Sequence, residues 1–232
     1  MHQTNVQMSE PKLRLIEAAE ALFADRGFDT VSVRDITKLA KANVASINYH
    51  FGSRDGLLAV VLTRYIAPVN EERLLRLDQA EKTHGNKPVP LEVIVDAFAR
   101  PLVTQVRKSE LSERLFYKLL GRSFAQQDET LPPELETQFR VIISRFIRTL
   151  AKTLPGVPSE ELIWRLHFVA GAMVHMLTHG DCIQHLTQGS SGTPTMDTTI
   201  SRFIRFSAAG LREGLEAPPQ ETKGPQGLLF DF

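Results

Sequence analysis

The stretch NVASINYHFGSRDG, residues 43–56, decides how the rest of the chain is interpreted. Three residues with polar groups, Asn48, Tyr49 and His50, follow one another near its middle. A helix ending before Gly52 would have only about two turns. The side chains able to face a core would be the three apolar ones: Val44, Ile47 and Phe51. The pattern therefore predicts a short helix that displays its polar side.

The preceding residues predict two more helices. Apolar residues at helical spacing indicate a first helix over 12–27. A second, short helix is expected to begin near Ser32, because Asp35 follows three residues later as in a capping box. The connection at 41–43 is tight, and Asn43 can cap the next helix. Two short helices joined in this way form a helix-turn-helix.

A helix-turn-helix gives the polar stretch a purpose, since its second helix must enter the DNA major groove and read base edges. Ala45 could contact a thymine methyl group, and Asn48 could pair with adenine. From Thr30 to Arg54 the charge is 4 − 1 = +3, on a chain with equal numbers of basic and acidic residues. The predicted DNA-contacting residues are Arg34, Lys41, Asn43, Ala45, Ser46, Asn48, Tyr49, His50 and Arg54. The alternative is a plain three-helix domain with a solvated polar face.

Two segments of the chain form a recognisable pattern: AAEALFADRGFDTVSVRDITKLA (18–40) and VASINYHFGSRDGLLAVVL (44–62). Through them the chain, from about Leu13 to Val61, resembles the DNA-binding domain of the TetR family of bacterial transcriptional regulators. The resemblance implies that the helix 44–51 is the recognition helix and that the next helix links it to a regulatory domain. Two residues depart from the pattern. Lys41 stands where glycine is usual, which predicts a strained turn, and Gly56 lowers helix propensity in its own helix.

Helical periodicity continues through the rest of the chain, and strand signals are nearly absent. A long helix is expected from Arg54, kinked or split at Pro68. Further helices are predicted over about 91–108, 111–127, 133–153, 159–187 and 197–215. The fold class is therefore all-α. Its predicted parts are a flexible arm over 1–11, a DNA-binding domain over 12–53, a ligand-binding and dimerisation domain over 54–216, and a flexible Pro/Gly-rich tail over 217–232.

Composition bounds the remaining possibilities. The chain has 232 residues, of which 42% are apolar, so a substantial core is expected. Its one cysteine, Cys182, allows no internal disulfide, and neither a signal peptide nor a membrane span is recognisable, so a cytoplasmic location is expected. No phosphate-binding glycine loop and no nucleophile motif is present, so we expect neither an enzyme nor a cofactor.

The TetR resemblance implies a homodimer that binds a palindromic operator. The segment 160–183 is apolar on more than one face, which predicts a helix buried on several sides. The predicted interface comprises Leu166, Val169, Ala170, Met173 and Leu177, with Phe203, Ile204 and Leu211 from the last helix. The alternative is that these side chains are buried within one chain.

The resemblance also implies an effector pocket in the C-terminal helices. The segments FYKLLGRSFAQQ (116–127) and IWRLHFVAGAM (163–173) are similar to TetR-type regulators that respond to long-chain fatty acids or acyl-coenzyme A. The predicted pocket residues are Phe98, Leu102, Phe116, Leu119, Leu120, Arg122, Phe124, Phe139, Ile143 and Phe146. Three alternatives stay open: an ordinary apolar core, control by a protein partner docking on the tail 226–232, and a metal site at His175, His179 and Cys182.

Overall fold

The computed structural model describes residues 9–26, 30–108, 133–179, 182–190, 192 and 194–213. Within these ranges every regular element is an α-helix, which confirms the all-α prediction. The helices are α1 (Glu10–Arg26), α2 (Val33–Leu39), α3 (Val44–Phe51), α4 (Arg54–His84), α5 (Leu91–Lys108), α6 (Pro133–Thr153), α7 (Ser159–Thr178), α8 (Cys182–Leu186) and α9 (Met196–Arg212). The helix predicted over 111–127, the arm up to residue 8 and the tail over 217–232 lie outside the described residues.

The helices pack around two separate apolar cores. The first core lies between α1, α2, α3 and the start of α4, and its largest fully buried side chains include Leu15, Ile16, Phe23, Ile36 and Ile47. The second core is larger and joins the remainder of α4 to α5, α6, α7 and α9. None of the helices that the structure describes is long and apolar enough to cross a membrane.

Helix α4 connects the two cores. It runs over 31 residues, or about 46 Å at 1.5 Å per residue. Leu57 and Val61 belong to the first core, whereas Val69 and Leu77 belong to the second. Pro68 was expected to kink or split the helix, and the structure contradicts the split, because α4 continues through it as one element. Pro68 has no N–H, so α4 lacks one backbone hydrogen bond there.

The helix predicted over 159–187 is two elements in the structure. Helix α7 ends at Thr178, and the backbone N–H of His179 closes the last turn by donating to the carbonyl of His175. A separate five-residue helix, α8, follows from Cys182. Apolar periodicity continues across this break in the sequence, and therefore periodicity alone did not reveal it.

An ion-pair network joins α4 to α6. Arg145 of α6 donates to Asp78 Oδ1 at 2.7 Å and to Glu81 Oε1 at 3.1 Å. Thr149 Oγ1 also donates to Glu81 Oε1, at 2.8 Å. Chiefly because of the hydrogen bond from Arg145, the pKa of Glu81 falls to about 2. The carboxylate is therefore firmly ionised at neutral pH and links the two helices.

Candidate nucleic-acid interface

The predicted capping box starts α2. Ser32 Oγ accepts a hydrogen bond from the backbone N–H of Asp35 at 3.2 Å, and Asp35 Oδ2 accepts from the backbone N–H of Ser32 at 2.9 Å. The Ser32 hydroxyl also donates to Asp35 Oδ2, and this bond, with the one from the Ser32 backbone N–H, holds the pKa of Asp35 below its ordinary value. The reciprocal bonds fix the direction in which α2 leaves the preceding chain.

The turn between α2 and α3 is a Schellman motif. The N–H of Ala42 donates to the carbonyl of Thr37 at 2.9 Å, and the N–H of Lys41 donates to that of Lys38 at 3.4 Å. Lys41 occupies the position that glycine usually takes, with a φ of +51°. The sequence predicted a strained turn at Lys41. A left-handed φ is unfavourable for a residue with a Cβ, because the Cβ approaches the following carbonyl oxygen.

Helix α3 is attached to the protein through fewer side chains than expected. Ile47 is completely buried in the first core. Phe51 is half-buried and lies under the Lys12 ammonium, 5.7 Å from the ring centroid. Val44 was expected on the inner face, but it is the first residue of α3 and is 45% exposed. Val44 therefore belongs to the outer surface, and the sequence reasoning missed it there.

The outer surface of α3 combines short and polar side chains. Ala45, Asn48 and Tyr49 are all exposed, and Tyr49 reaches 85% exposure. They stand at i, i+3 and i+4, so they share one helical face. His50 and Ser46 are intermediate, and the His50 ring meets the edge of Tyr49 with centroids 4.9 Å apart. Such a face can approach a groove closely and still present hydrogen-bonding groups.

One polar side chain at the N-terminus of α3, that of Asn43, already makes a hydrogen bond within the protein. Asn43 Oδ1 accepts a hydrogen bond from the backbone N–H of Ala45 at 3.1 Å, so its amide oxygen is engaged in capping. Its amide nitrogen remains a donor at the exposed N-terminus of the helix. At the other end Gly52 adopts a φ of +72° and closes the helix. The predicted role of Asn43 is therefore limited to donation.

Arg54 is held within the protein by part of its guanidinium. Its Nε donates to the carbonyl of Val31 at 2.9 Å, and its guanidinium lies over the Phe23 ring, 5.9 Å from the centroid. The side chain is 22% exposed. Arg54 thus ties the start of α4 to the chain before α2, and its predicted contact with DNA stays a prediction. Arg34 and Lys41 remain exposed as basic groups on this side of the protein.

The structure explains why glycine stands at position 56, which helix propensity alone did not. A Cβ at this position would lie 2.0 Å from the carbonyl oxygen of Phe51. Ser53 caps the same turn, because its Oγ accepts from the backbone N–H of Gly56 at 2.9 Å. The close approach of the end of α3 to the start of α4 therefore requires glycine.

The side chains predicted to form a dimer interface mostly lie inside the chain. Leu166, Val169, Met173, Leu177, Phe203, Ile204 and Leu211 are buried in the second core, and Ala170 packs against it partly buried. Their apolar character is used within the monomer, as in the alternative kept open above. The exposed aromatic side chains of these helices are Trp164, Phe168 and Phe206.

The predicted effector residues divide into three groups. Phe98, Leu102 and Phe146 are buried together, and the rings of Phe98 and Phe146 meet edge to face with centroids 5.2 Å apart. Phe139 packs partly buried against the same core, whereas Ile143 is exposed. The others lie outside the described residues: Phe116, Leu119, Leu120, Arg122 and Phe124. Among described residues no group of three metal-ligating side chains occurs.

Comparison with known proteins agrees with this architecture. Residues 15–61 match the family model "Bacterial regulatory proteins, tetR family", and residues 96–210 match "Tetracyclin repressor-like, C-terminal domain". A Bacillus subtilis protein named "Probable HTH-type transcriptional regulator YttP" is 41% identical over 185 residues, which cover 68% of this chain and 88% of that protein. The Pseudomonas putida repressor NicS is 36% identical over 76 residues, 32% of this chain and 36% of NicS.

Solved structures share the fold at low sequence identity. The hemolysin II transcriptional regulator HlyIIR superposes with a TM-score of 0.51 at 14% identity, covering 85% of this chain and 96% of HlyIIR. RolR, solved with its ligand resorcinol, superposes with a TM-score of 0.51 at 18% identity, covering 89% of this chain and 95% of RolR. The family models and the extended identity to YttP confirm the resemblance carried by residues 18–40 and 44–62. This chain belongs to the TetR family of bacterial transcriptional regulators.

Proposed function

We propose that this transcriptional regulator is a cytoplasmic repressor that binds a palindromic operator as a homodimer and is released by a small apolar effector. The observation that carries the proposal is the outer face of α3. Ile47 anchors the helix, while Asn48 and Tyr49 stand clear of the protein. A helix of eight residues that displays its outer face in this way has the form of a recognition helix, which lies in the major groove.

The chemistry of that face suits base readout. Val44 and Ala45 offer apolar contacts for thymine methyl groups, and the Asn48 amide can pair with N6 and N7 of adenine. Tyr49 is long enough to reach either a base or a phosphate. Exposed Arg34 and Lys41 supply positive charge beside the helix for the phosphate backbone.

A dimer face is available on α7 and α9, which pack against each other. Helix α7 exposes Trp164 and Phe168, whose ring centroids lie 5.9 Å apart, and α9 exposes Phe206 at 75%. Gly171 and Gly210 lie exposed on the same two helices and would let a partner helix approach closely. Two-fold pairing of these helices would present two α3 helices to two operator half-sites.

Helix α4 is the proposed route from effector to DNA. Its N-terminal part holds the first core and its C-terminal part holds the second, so a shift of α4 would change the separation of the recognition helices. The effector acts by binding better to the arrangement that does not fit the operator. Phe98, Leu102 and Phe146 are the described residues proposed to contact it.

A gel shift on the DNA upstream of the protein's own gene tests the proposal. The wild-type chain should retard this fragment in preference to random DNA of equal length. Asn48→Ala should lose about 1–3 kcal/mol of specific binding and discriminate less at one base pair. Binding that is equally weak on both DNAs, with the protein folded and dimeric, would refute the operator-binding role.

Sedimentation tests the dimer separately. A Phe168→Glu and Phe206→Glu double variant should sediment as a folded monomer, because both changes place charge at the proposed interface. Val141→Glu is the matched control, since Val141 is an exposed apolar residue on α6. A double variant that still sediments as a dimer would exclude this face.

A further inference from the structure

The second core contains a buried guanidinium. Arg73 of α4 is only 4% exposed. Its Nε donates to the carbonyl of Phe98 at 2.8 Å, and its Nη1 donates to Asn70 Oδ1 at 3.1 Å. The guanidinium carbon lies 4.3 Å from the centroid of the Phe98 ring. Both hydrogen-bond acceptors are neutral.

The charge of Arg73 has no counterion in the part of the chain that the structure describes. Glu72 stands next to Arg73 in the sequence, and Asp96 lies two residues before Phe98. Both have other partners, since Glu72 pairs with Arg76, and Asp96 pairs with Arg76 and Arg100. Burial lowers the pKa of Arg73 to about 10, so the group stays charged at neutral pH. An ionised group buried without a partner of opposite charge is costly, because the lost hydration is not replaced.

A structural role alone does not explain the charge. Pro101 has no N–H, so the carbonyl of Ala97, four residues earlier in α5, lacks its helical donor, whereas Arg73 donates to the neighbouring carbonyl of Phe98. A neutral glutamine would supply the same donor without burying a charge. The guanidinium has five N–H donors, and its two hydrogen bonds leave three without a partner among the described residues.

We propose that Arg73 binds the anionic head group of the effector, and that the effector is an organic acid with an apolar body. Asn70, itself buried, orients the guanidinium and is held in turn by Gln138, whose Oε1 accepts from Asn70 Nδ2 at 3.4 Å. A carboxylate would take two parallel N–H donors from the fork. The ring of Phe98 adjoins Arg73, the ring of Phe146 packs against Phe98, and both would pack against the apolar chain of the effector. This inference rests on the proposed effector-controlled function.

Calorimetry with matched acids and alcohols tests the head group. The full chain is titrated with straight-chain acids from hexanoate to hexadecanoate and with the alcohol of each length. The best acid should bind the wild type about tenfold or more tightly than its alcohol, because only the acid gains charge-assisted hydrogen bonds. Arg73→Gln should abolish the preference and leave alcohol binding unchanged. Equal affinities, no acid binding across the series, or a preference that survives in Arg73→Gln would overturn the proposal.

Asn70→Asp provides a second, isosteric variant for the same site. It places a carboxylate where Asn70 Oδ1 now lies, 3.1 Å from Arg73 Nη1, and so supplies an internal counterion. The melting temperature should rise, and the preference for acids over alcohols should disappear. If a carboxylate of the chain itself already neutralises Arg73, Asn70→Asp should lower the melting temperature through like-charge repulsion, and that result overturns the proposal.

The outcomes separate this inference from the function on which it rests. Calorimetry contains no DNA, so an acid preference that depends on Arg73 establishes the site even if the operator fragment is not retarded. Conversely, specific DNA binding released equally by acids and alcohols would support the repressor and refute the role of Arg73.

Discussion

The two cores of this protein differ in the groups that they bury. In the first core the only buried polar side chain among described residues is Thr37, whose hydroxyl donates to the carbonyl of Val33 within α2. The second core buries several: Asn70, Arg73, Thr149, Arg165 and Ser207. The first unit, which comprises the helices around the first core, therefore keeps its polar side chains on the surface, as on α3. The second unit, which comprises the helices around the second core, buries some polar side chains, and only an internal partner or a ligand can satisfy their hydrogen bonds there.

Arg165 shows how such a group is satisfied from within. Its Nε donates to Glu161 Oε1 at 2.8 Å, and its Nη1 donates to the carbonyl of Leu211 at 2.7 Å near the end of α9. It thus has a carboxylate partner and fastens α9 to α7. Arg73 has the same side chain and similar burial, but both of its described acceptors are neutral. The contrast makes Arg73 stand out as a functional candidate.

Among the substitutions that test this difference between the two cores, Ile47→Ala is expected to change stability most. Ile47 is the fully buried residue of α3, so its truncation should lower the free energy of unfolding by about 2–5 kcal/mol. Tyr49→Ala is the matched variant on the same helix and should change stability by less than about 0.5 kcal/mol. Urea unfolding measures both. A similar stability loss in the two variants would show that the outer face also holds the fold.

DNA affinity should respond to these variants in the opposite way. Tyr49→Ala should weaken retardation of the operator fragment while the melting temperature stays unchanged. If Tyr49→Ala binds the operator as well as the wild type, the most exposed residue of α3 is not part of the interface.

Arg54→Ala should have the next largest effect, and on stability. Its hydrogen bond to the carbonyl of Val31 comes from a charged donor, which is worth about 1.5–3 kcal/mol. The dependence of DNA affinity on salt should stay the same, because the guanidinium is engaged within the protein. Arg34→Ala is the control, since loss of an exposed phosphate contact lowers the salt slope by about one. If Arg54→Ala instead lowers the salt slope of DNA binding and leaves stability unchanged, Arg54 contacts phosphate.

Acid should act mainly on the second unit. The pKa of Glu81 is about 2 in the folded protein, below its ordinary value of 4.5, so its contribution is complete above pH 4.5 and is lost as pH falls towards 2. Partial exposure limits this contribution to about 1–2 kcal/mol. The stability difference between wild type and Glu81→Gln should therefore shrink between pH 5 and pH 3. A constant difference would mean that the bond from Arg145 does not depend on the carboxylate charge.

Local signals in the sequence predicted the first unit well. The capping box at Ser32, the cap at Asn43 and the helix end at Gly52 each depend on a few neighbouring residues, and all three are present. The inward position predicted for Val44 was wrong, and the bond from Arg54 to the carbonyl of Val31 was not predicted, because both depend on tertiary packing. Apolar periodicity predicted that 160–183 is buried on several sides, but Trp164, Phe168 and Ile183 are exposed. The same pattern suits a chain's own core and a dimer interface, so it could not tell them apart. Arg73 gave no signal, since its burial results from the packing of α4 on α5.

Lys41→Gly should have the smallest effect, and a stabilising one. The φ of +51° at Lys41 costs about 1–2 kcal/mol for a residue with a Cβ, and glycine removes that cost but loses about 0.5–1 kcal/mol to the greater freedom of the unfolded chain. The free energy of unfolding should therefore rise by up to about 1.5 kcal/mol. Lys41→Ala keeps the Cβ and removes the charge, so it should leave stability near the wild-type value. Both variants should lower the salt slope of DNA binding equally if Lys41 contacts phosphate. If glycine is no more stabilising than alanine, the turn is not strained, and the departure from glycine at this position matters only for charge.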